Sequence, residues 1–302
     1  MIRYAAAELE NLGNLIHAHV PGWRQQADLR KAELKELGKF DEGAPSWSDV
    51  KPVYMRLQSY KCIFCERPLG GEVAGKIEQD VEHFRPKNAL KPWPKKKRKT
   101  DPDPYPFSTG PTGDGYYWLA YDLHNYAAAC KPCNSTRKSN SFPIAAAQRG
   151  VQHGDVATLN TSERPFLIYP LGTIDDDPED LIEFEGIVAR PKQPNGHAHN
   201  RALITIEFFG LNVREELWED RYRVIRSLWY AYQTTQLSTD PEQIAAAERS
   251  IATDTADSGP QASCARSFMK LIERDLVRAW KTYEHAEAFQ KTAKTGHGQK
   301  KS

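Results

Sequence analysis

Apolar residues change rhythm along the chain. Before about Phe40, Trp23, Leu29, Leu34 and Leu37 recur among charged residues at loose helical spacing, which predicts helix. Residues 41–45 break the pattern as a loop. A cleaner helix follows, with Ser46 as N-cap and Val50, Val53, Tyr54 and Leu57 at i, i+3, i+4 and i+7. From Lys61 to about Ile144 the pattern falls into short pieces. Residues 76–84 read as a strand that Pro86 ends. Residues 88–115, rich in Pro, Gly and Lys, read as a long, exposed, mobile insertion. Order resumes over 116–129, and a helix is predicted from about Asn134. Past Gly150, segments 165–169 and 181–188 read as strands, the second turning at Gly186. Helices then dominate. Leu217, Val224, Ile225, Leu228 and Tyr232 share one side of a helix over 212–235. Asp240 caps another with Pro241 at its first position, and 261–292 reads as one long amphipathic helix. Residues 296–302 read as a basic tail that frays. No internal repeat is evident.

This pattern predicts an α+β chain: an N-terminal helical region over 1–60, a mixed domain over 61–150 carrying the insertion, a mostly helical α+β region over 151–292, and a tail over 293–302. The 302 residues suffice for two domains, or for one with helical additions. Hydrophobic residues at 39% and charged residues at 27% are ordinary for a soluble globular chain. No apolar run reaches the roughly 20 residues that span a bilayer, so no membrane association is expected. Residues 1–7 lack a basic segment followed by an apolar one, so no secretory signal is read and a cytoplasmic location is expected.

A net charge of +1 does not by itself point to nucleic acid. The distribution is uneven, however. Residues 91–99 read K-P-W-P-K-K-K-R-K, whereas 175–180 are strongly acidic. A local basic run can contact phosphates without a basic whole.

Four of the five cysteines form two Cys-x-x-Cys pairs, Cys62 with Cys65 and Cys130 with Cys133. Without an export signal, such pairing favours zinc over disulfides. Two knuckles can complete a tetrahedral site with Zn–S distances of about 2.3 Å, and four thiolates leave no open position. That zinc would be structural. The long stretch between the pairs implies that something is built between them. Cys264 stands alone and reads as a small core hydrophobe.

Beside the knuckles lie Glu82-His83, Asn125 and Asn134. The order Cys62-x-x-Cys65, Glu82-His83, Asn125, Cys130-x-x-Cys133-Asn134 resembles the HNH nuclease motif, in its variant with a final Asn, on a zinc-stapled ββα-metal finger. V-E-H-F-R-P-K from Val81, Y-W-L-A-Y-D-L-H-N-Y from Tyr117, A-C-K-P-C-N from Ala129 and Phe142-Pro143 are similar to the HNH endonucleases associated with retron and Septu defence systems. Gly210-Leu211-Asn212, Leu217 and Arg221 extend that resemblance beyond the finger.

The resemblance implies roles. Glu82 and Asn134 would hold a divalent metal, Mg²⁺ or Mn²⁺, with oxygen ligands suited to a hard cation. His83 would be the general base, since an imidazole of pKa about 6.5 is mostly neutral at pH 7. Asn125 would tie the finger's loop and orient His83. The metal would stabilise the phosphate and the leaving oxygen. Two features stand apart from the commoner pattern. The acid is Glu rather than Asp, and its extra methylene moves the carboxylate outward. Neighbours on a regular strand also face opposite ways, so Glu82 and His83 can serve one phosphate only if the strand twists or ends there; Pro86 makes an end plausible.

Arg85, Lys87, Arg137 and Lys138 are expected to contact phosphates near the metal, and Lys95, Lys96 and Lys97 to lie over a bound backbone, unless that run is a solvated loop. No base-reading helix is evident, so no sequence recognition is expected. His124 reads as a surface or packing residue; the pairs His17/His19 and His197/His199 lack partners to complete a metal site. The expected activity is a metal-dependent endonuclease, on DNA first, where a single finger would cut one strand at a time as a nickase, with RNA as the alternative substrate. The resemblance further implies an anti-phage role beside an ATPase partner. A non-catalytic zinc-stapled binding or scaffold module is the reading from another class; the joint presence of Glu82, His83, Asn125 and Asn134 argues against it.

Overall fold

A computed structural model describes residues 1–4, 11–70, 80–95 and 102–298, with side chains to 289. It is a mixed α/β structure with two small antiparallel sheets.

Near the N-terminus lie α1 (Leu12–His19) and α2 (Trp23–Leu37). The buried side of α2 is Trp23, Ala27 and Leu34, whereas Leu29 and Leu37 face solvent, contrary to the face read from the leucines. Ser46 caps, but it caps a short turn over Trp47–Asp49, where its Oγ accepts from Ser48 N at 3.2 Å. Helix α3 (Lys51–Leu57) starts after that turn, with Pro52 in its first turn where no intrahelical N–H is required. Val50, Val53, Tyr54 and Leu57 are all buried, and α3 packs on the strand β2.

Strands β1 (Asp80–His83) and β2 (Tyr126–Ala129) pair antiparallel, with Asp80 opposite Ala129 and His83 opposite Tyr126. The start of the strand predicted over 76–84 lies outside the described residues. A wide helical turn, Pro132–Lys138, follows β2 and starts two residues before the Asn134 at which the sequence predicts a helix. The described parts of the insertion are not free-standing. Leu90 is buried, Trp93 stacks on Tyr105 with centroids 5.6 Å apart and packs on Phe208, and Phe107 meets Phe166. The insertion carries its own aromatic anchor, which a Pro/Gly/Lys composition conceals.

Segment 165–169 is buried but is no strand, and its chain bends at Phe166 and Leu167. Its backbone bonds scatter: Phe166 N donates to Pro143 O, while Thr205 and Arg201 side chains take the carbonyls of Phe166 and Leu167. Among the described residues it pairs only through an isolated antiparallel bridge from Pro165 to Ile144. Helix α4 (Val156–Glu163) precedes it, and neither α4 nor α5 (Gly196–Phe209) was legible as a separate element. Strands β3 (Ile182–Glu185) and β4 (Val188–Pro191) form a hairpin whose turn holds Gly186 at φ +60°. Helices α6 (Glu215–Leu237) and α7 (Pro241–Thr255) follow, the latter capped by Asp240 as expected. The single helix read over 261–292 is two, α8 (Ala262–Arg274) and α9 (Leu276–Gly298). Asp275 divides them. Its N–H closes α8 on Leu271 O, while its carboxylate accepts from Arg278 N and opens α9. Buried apolar residues from these regions form one connected core, against which α7 packs through the partly buried Ile251.

Candidate functional site

The four thiols come together first. In the knuckle after α3, Cys62 N donates to Arg67 O and Glu66 N to Cys62 O. Ile63 N donates to Ala128 O at 3.1 Å, tying the knuckle to β2. Gln58, buried at the end of α3, locks the same join: its amide donates to Lys61 O and Ala128 O, and its Oε1 accepts from Ala128 N. The second knuckle closes where Cys133 N and Asn134 N both donate to Cys130 O. All four cysteines are buried, and their sulfurs lie within 4.8 Å of one another. This cluster can hold a metal ion such as zinc, and the all-sulfur donor set suits that ion. Arg214 adds a cation, donating from Nη1 to Cys133 Sγ at 3.1 Å. Burial opposes its charge, but Cys65 and Cys133 hold the guanidinium protonated. Cys264 is buried away from the cluster, beside Gly186 O, where burial pushes its thiol up to about 12.

The hairpin above the cluster carries the other predicted residues. Strand alternation sends Asp80 and Glu82 to one face and His83 to the other. The strand ends at His83, as Pro86 suggested. Glu82 is 3% exposed and meets the ammonium of Lys138, Nζ to Oε1, at 2.5 Å. Burial raises the Glu82 carboxyl above its usual range, outweighing the pull of Lys138. Burial likewise lowers the Lys138 ammonium, with Glu82 opposing. Asn134, half-buried at the start of the helical turn, donates from Nδ2 to Asp80 Oδ2 at 3.3 Å rather than meeting Glu82 directly.

His83 lies in an aromatic slot. Trp47 and Tyr126 present edge-on at centroid distances of 5.1 and 5.0 Å. Its Nε2 contacts Ala120 O at 3.0 Å, so that nitrogen carries the proton. Tyr126 OH donates to the same carbonyl. The neutral ring therefore keeps its lone pair on Nδ1. Burial, and then the charge of Lys87, push the imidazole well below its usual pKa. Asn125 is buried, and the bonds of its side chain go to backbone groups rather than to the His83 ring. Its carboxamide bonds the backbone of Arg85 and Leu119, one residue before the carbonyl that holds His83.

Two of the predicted phosphate contacts are structural cations instead. Arg85 is fully buried, paired with Glu163, bonded to Asn160 Oδ1 at 2.9 Å, and packed on the rings of Phe142 and Tyr116. Lys138 is fully buried against Glu82 and donates to His83 O at 2.9 Å. Their charges are consumed inside the fold. Lys87 is half-buried with its ammonium 3.9 Å from the Trp47 ring centroid, close to the site. Arg137 is half-buried, its guanidinium lying against the bare Cα of Gly210 at the end of α5. Lys95 is exposed, and Lys96 and Lys97 lie outside the described residues. His124 is exposed at a turn capped by Asp122. Among the described residues, His17, His19, His197 and His199 join no metal-binding group.

Sequence reasoning missed Asp80, Trp47, Gln58 and Arg214. Asp80 was within reach, since it lies two positions before Glu82 and so shares its face. The other three carry no local signal. Comparison with protein-family models, curated proteins and solved structures finds no match for the chain.

Proposed function

We propose that this chain is a metal-dependent nuclease of the HNH type, in which His83 takes the proton of the attacking water. The observation that carries this reading is the state of His83. A ring nitrogen bound to a carbonyl fixes the tautomer, and burial keeps the ring neutral, so Nδ1 carries the free lone pair that would accept the proton. It stands at the end of a strand whose preceding residue, Glu82, offers a carboxylate, and Asp80 and Asn134 supply further oxygens nearby. The antiparallel strand pair, the helical turn after it and the four-cysteine cluster support this reading.

The donor chemistry at Glu82 and Asn134 fits a hard divalent cation, Mg²⁺ or Mn²⁺. When bound, such an ion polarises the phosphate and stabilises the leaving oxygen. Glu82 shares its carboxylate with Lys138, whose ammonium must be accommodated when an ion binds. Zinc in the cysteine cluster would hold the hairpin and the turn in register. Trp47 and Tyr126 fix the ring, Lys87 supplies positive charge beside it, and Asn125 holds the loop that carries Ala120 O. DNA is the favoured substrate. A defence role beside an ATPase partner belongs to the same reading and rests on the motif resemblance.

The test is incubation of the protein and of His83→Ala with plasmid, single-stranded DNA and total RNA, with Mg²⁺ or Mn²⁺. The variant should lose roughly 10²–10⁴-fold of any cleavage while keeping its zinc. Cleavage of RNA alone would move the assignment to an RNase. Full activity in a folded His83→Ala would overturn it.

A further inference from the structure

We infer that the ammonium of Lys138 and the divalent cation exclude one another at Glu82, so that the folded site is held closed by an internal lysine. The inference rests on the nuclease reading of the same site.

The place Lys138 occupies is built from oxygen acceptors. Its Nζ lies 2.5 Å from Glu82 Oε1 and donates to His83 O at 2.9 Å. Both oxygens flank the peptide that joins the proposed ligand to the proposed base. Asp80 stands on the same strand face, held by Asn134. Lys138 lies four positions after Asn134 on one helical turn, so both approach the strand from the same element. The side chain is fully buried, and it is not at the surface where a phosphate contact would sit. A divalent ion on Glu82 would face this ammonium across a carboxylate, with little water between to screen the repulsion.

Two consequences follow for the metal. Its affinity for the resting protein is reduced by the cost of displacing Lys138. Loading is favoured by whatever gives the displaced ammonium another anion. A phosphodiester is that anion, being the substrate class of the proposed reaction. Substrate and metal then bind with positive coupling through one side chain, and by linkage each strengthens the other.

The experiment is a Mn²⁺ titration, followed by the electron paramagnetic resonance of free Mn²⁺, on wild type, Lys138→Met and Glu82→Gln/Lys138→Met. Lys138→Met should bind Mn²⁺ at least tenfold more tightly than wild type, and the double variant should lose that site. Equal or weaker binding by a zinc-loaded Lys138→Met, with wild type still binding, overturns the exclusion and leaves the nuclease reading standing. Absence of Mn²⁺ binding in both overturns the metal-dependent reading as well. A second measurement needs no variant and covers failure of Lys138→Met to fold. In ¹⁵N-lysine protein, the Lys138 ammonium signal should shift or vanish as Mg²⁺ is added. A signal unmoved at saturating Mg²⁺ overturns the inference.

Discussion

The side chain of Asn125 grips Arg85 by both its backbone N–H and its backbone carbonyl. Its Oδ1 accepts from Arg85 N at 2.7 Å, and its Nδ2 donates to Arg85 O at 3.0 Å. A third bond, from Nδ2 to Leu119 O at 3.1 Å, reaches the residue before Ala120. One buried carboxamide thereby fixes the chain just past β1 to the loop whose carbonyl orients His83. Asn125 acts on the base through the backbone.

Asn125→Ala should therefore strip partners from the buried N–H and carbonyl of Arg85, whereas Leu119 O keeps its bond from Asp122 N. At about 1–3 kcal/mol for each of the two groups left unsatisfied, the loss should be on the order of 2 kcal/mol or more. Chemical denaturation measures it. A loss below about 1 kcal/mol would mean that water replaces the carboxamide without cost.

Arg85 separates a structural role from nucleic-acid contact. Arg85→Met should destabilise the fold by about 3–5 kcal/mol, because it strands the buried carboxylate of Glu163. That carboxylate would keep its bonds from Tyr116 OH and Gly150 N. In the fraction that stays folded, the salt dependence of DNA binding should match wild type. A salt slope flattened by roughly 0.9 log units, with stability unchanged, would restore Arg85 as a phosphate contact.

The cysteine cluster predicts one zinc per chain in protein purified without chelators. Changing Cys62, Cys65, Cys130 or Cys133 singly to Ser should release the metal and unfold the knuckles, since structural zinc contributes of order 10 kcal/mol in small fingers. Cys264→Ser should leave the zinc content unchanged, because its sulfur lies beside Gly186 and outside the cluster. Elemental analysis and a melting curve on each variant decide both points.

His197 should contribute a pH dependence to stability. Burial, and then Arg164 and Arg201, hold its imidazole down to about 4. The unfolded ring titrates near 6.5, so below that pH the unfolded chain binds more protons. The contribution is complete above about pH 6.5 and is lost as the pH falls to about 4. His197→Phe, which keeps a ring against Phe166, should lose less melting temperature over that interval than wild type. Parallel curves would show that the depressed pKa has no part in acid stability.

Much of the local architecture was legible because its causes are local. Val50, Val53, Tyr54 and Leu57 mark one helical face by spacing alone, and that face is buried. Asp240 before Pro241 marks a helix start by capping chemistry. Where a second, local cause competed, the reading slipped. Asp275 looked like one more polar residue on a long helix, yet its carboxylate and its N–H divide that helix in two. The insertion looked unanchored because its few aromatics are diluted by Pro, Gly and Lys; Trp93 and Phe107 find their partners in Phe208 and Phe166, far along the chain.

By itself, the sequence determined the two Cys-x-x-Cys knuckles, the placing of Glu82 and His83 beside them, and the helical character of the C-terminal third. Thiol pairing and side-chain periodicity depend on neighbours a few positions away. Only the tertiary structure decided what the cations near the hairpin do. A lysine or arginine beside a motif is ordinarily solvated, because burying its charge is costly. Arg85 is buried because Glu163 meets it from α4, and Lys138 because Glu82 meets it from β1. Each compensation joins residues distant in sequence. For that reason the same charges that suggested an exposed phosphate-binding surface are enclosed within the fold.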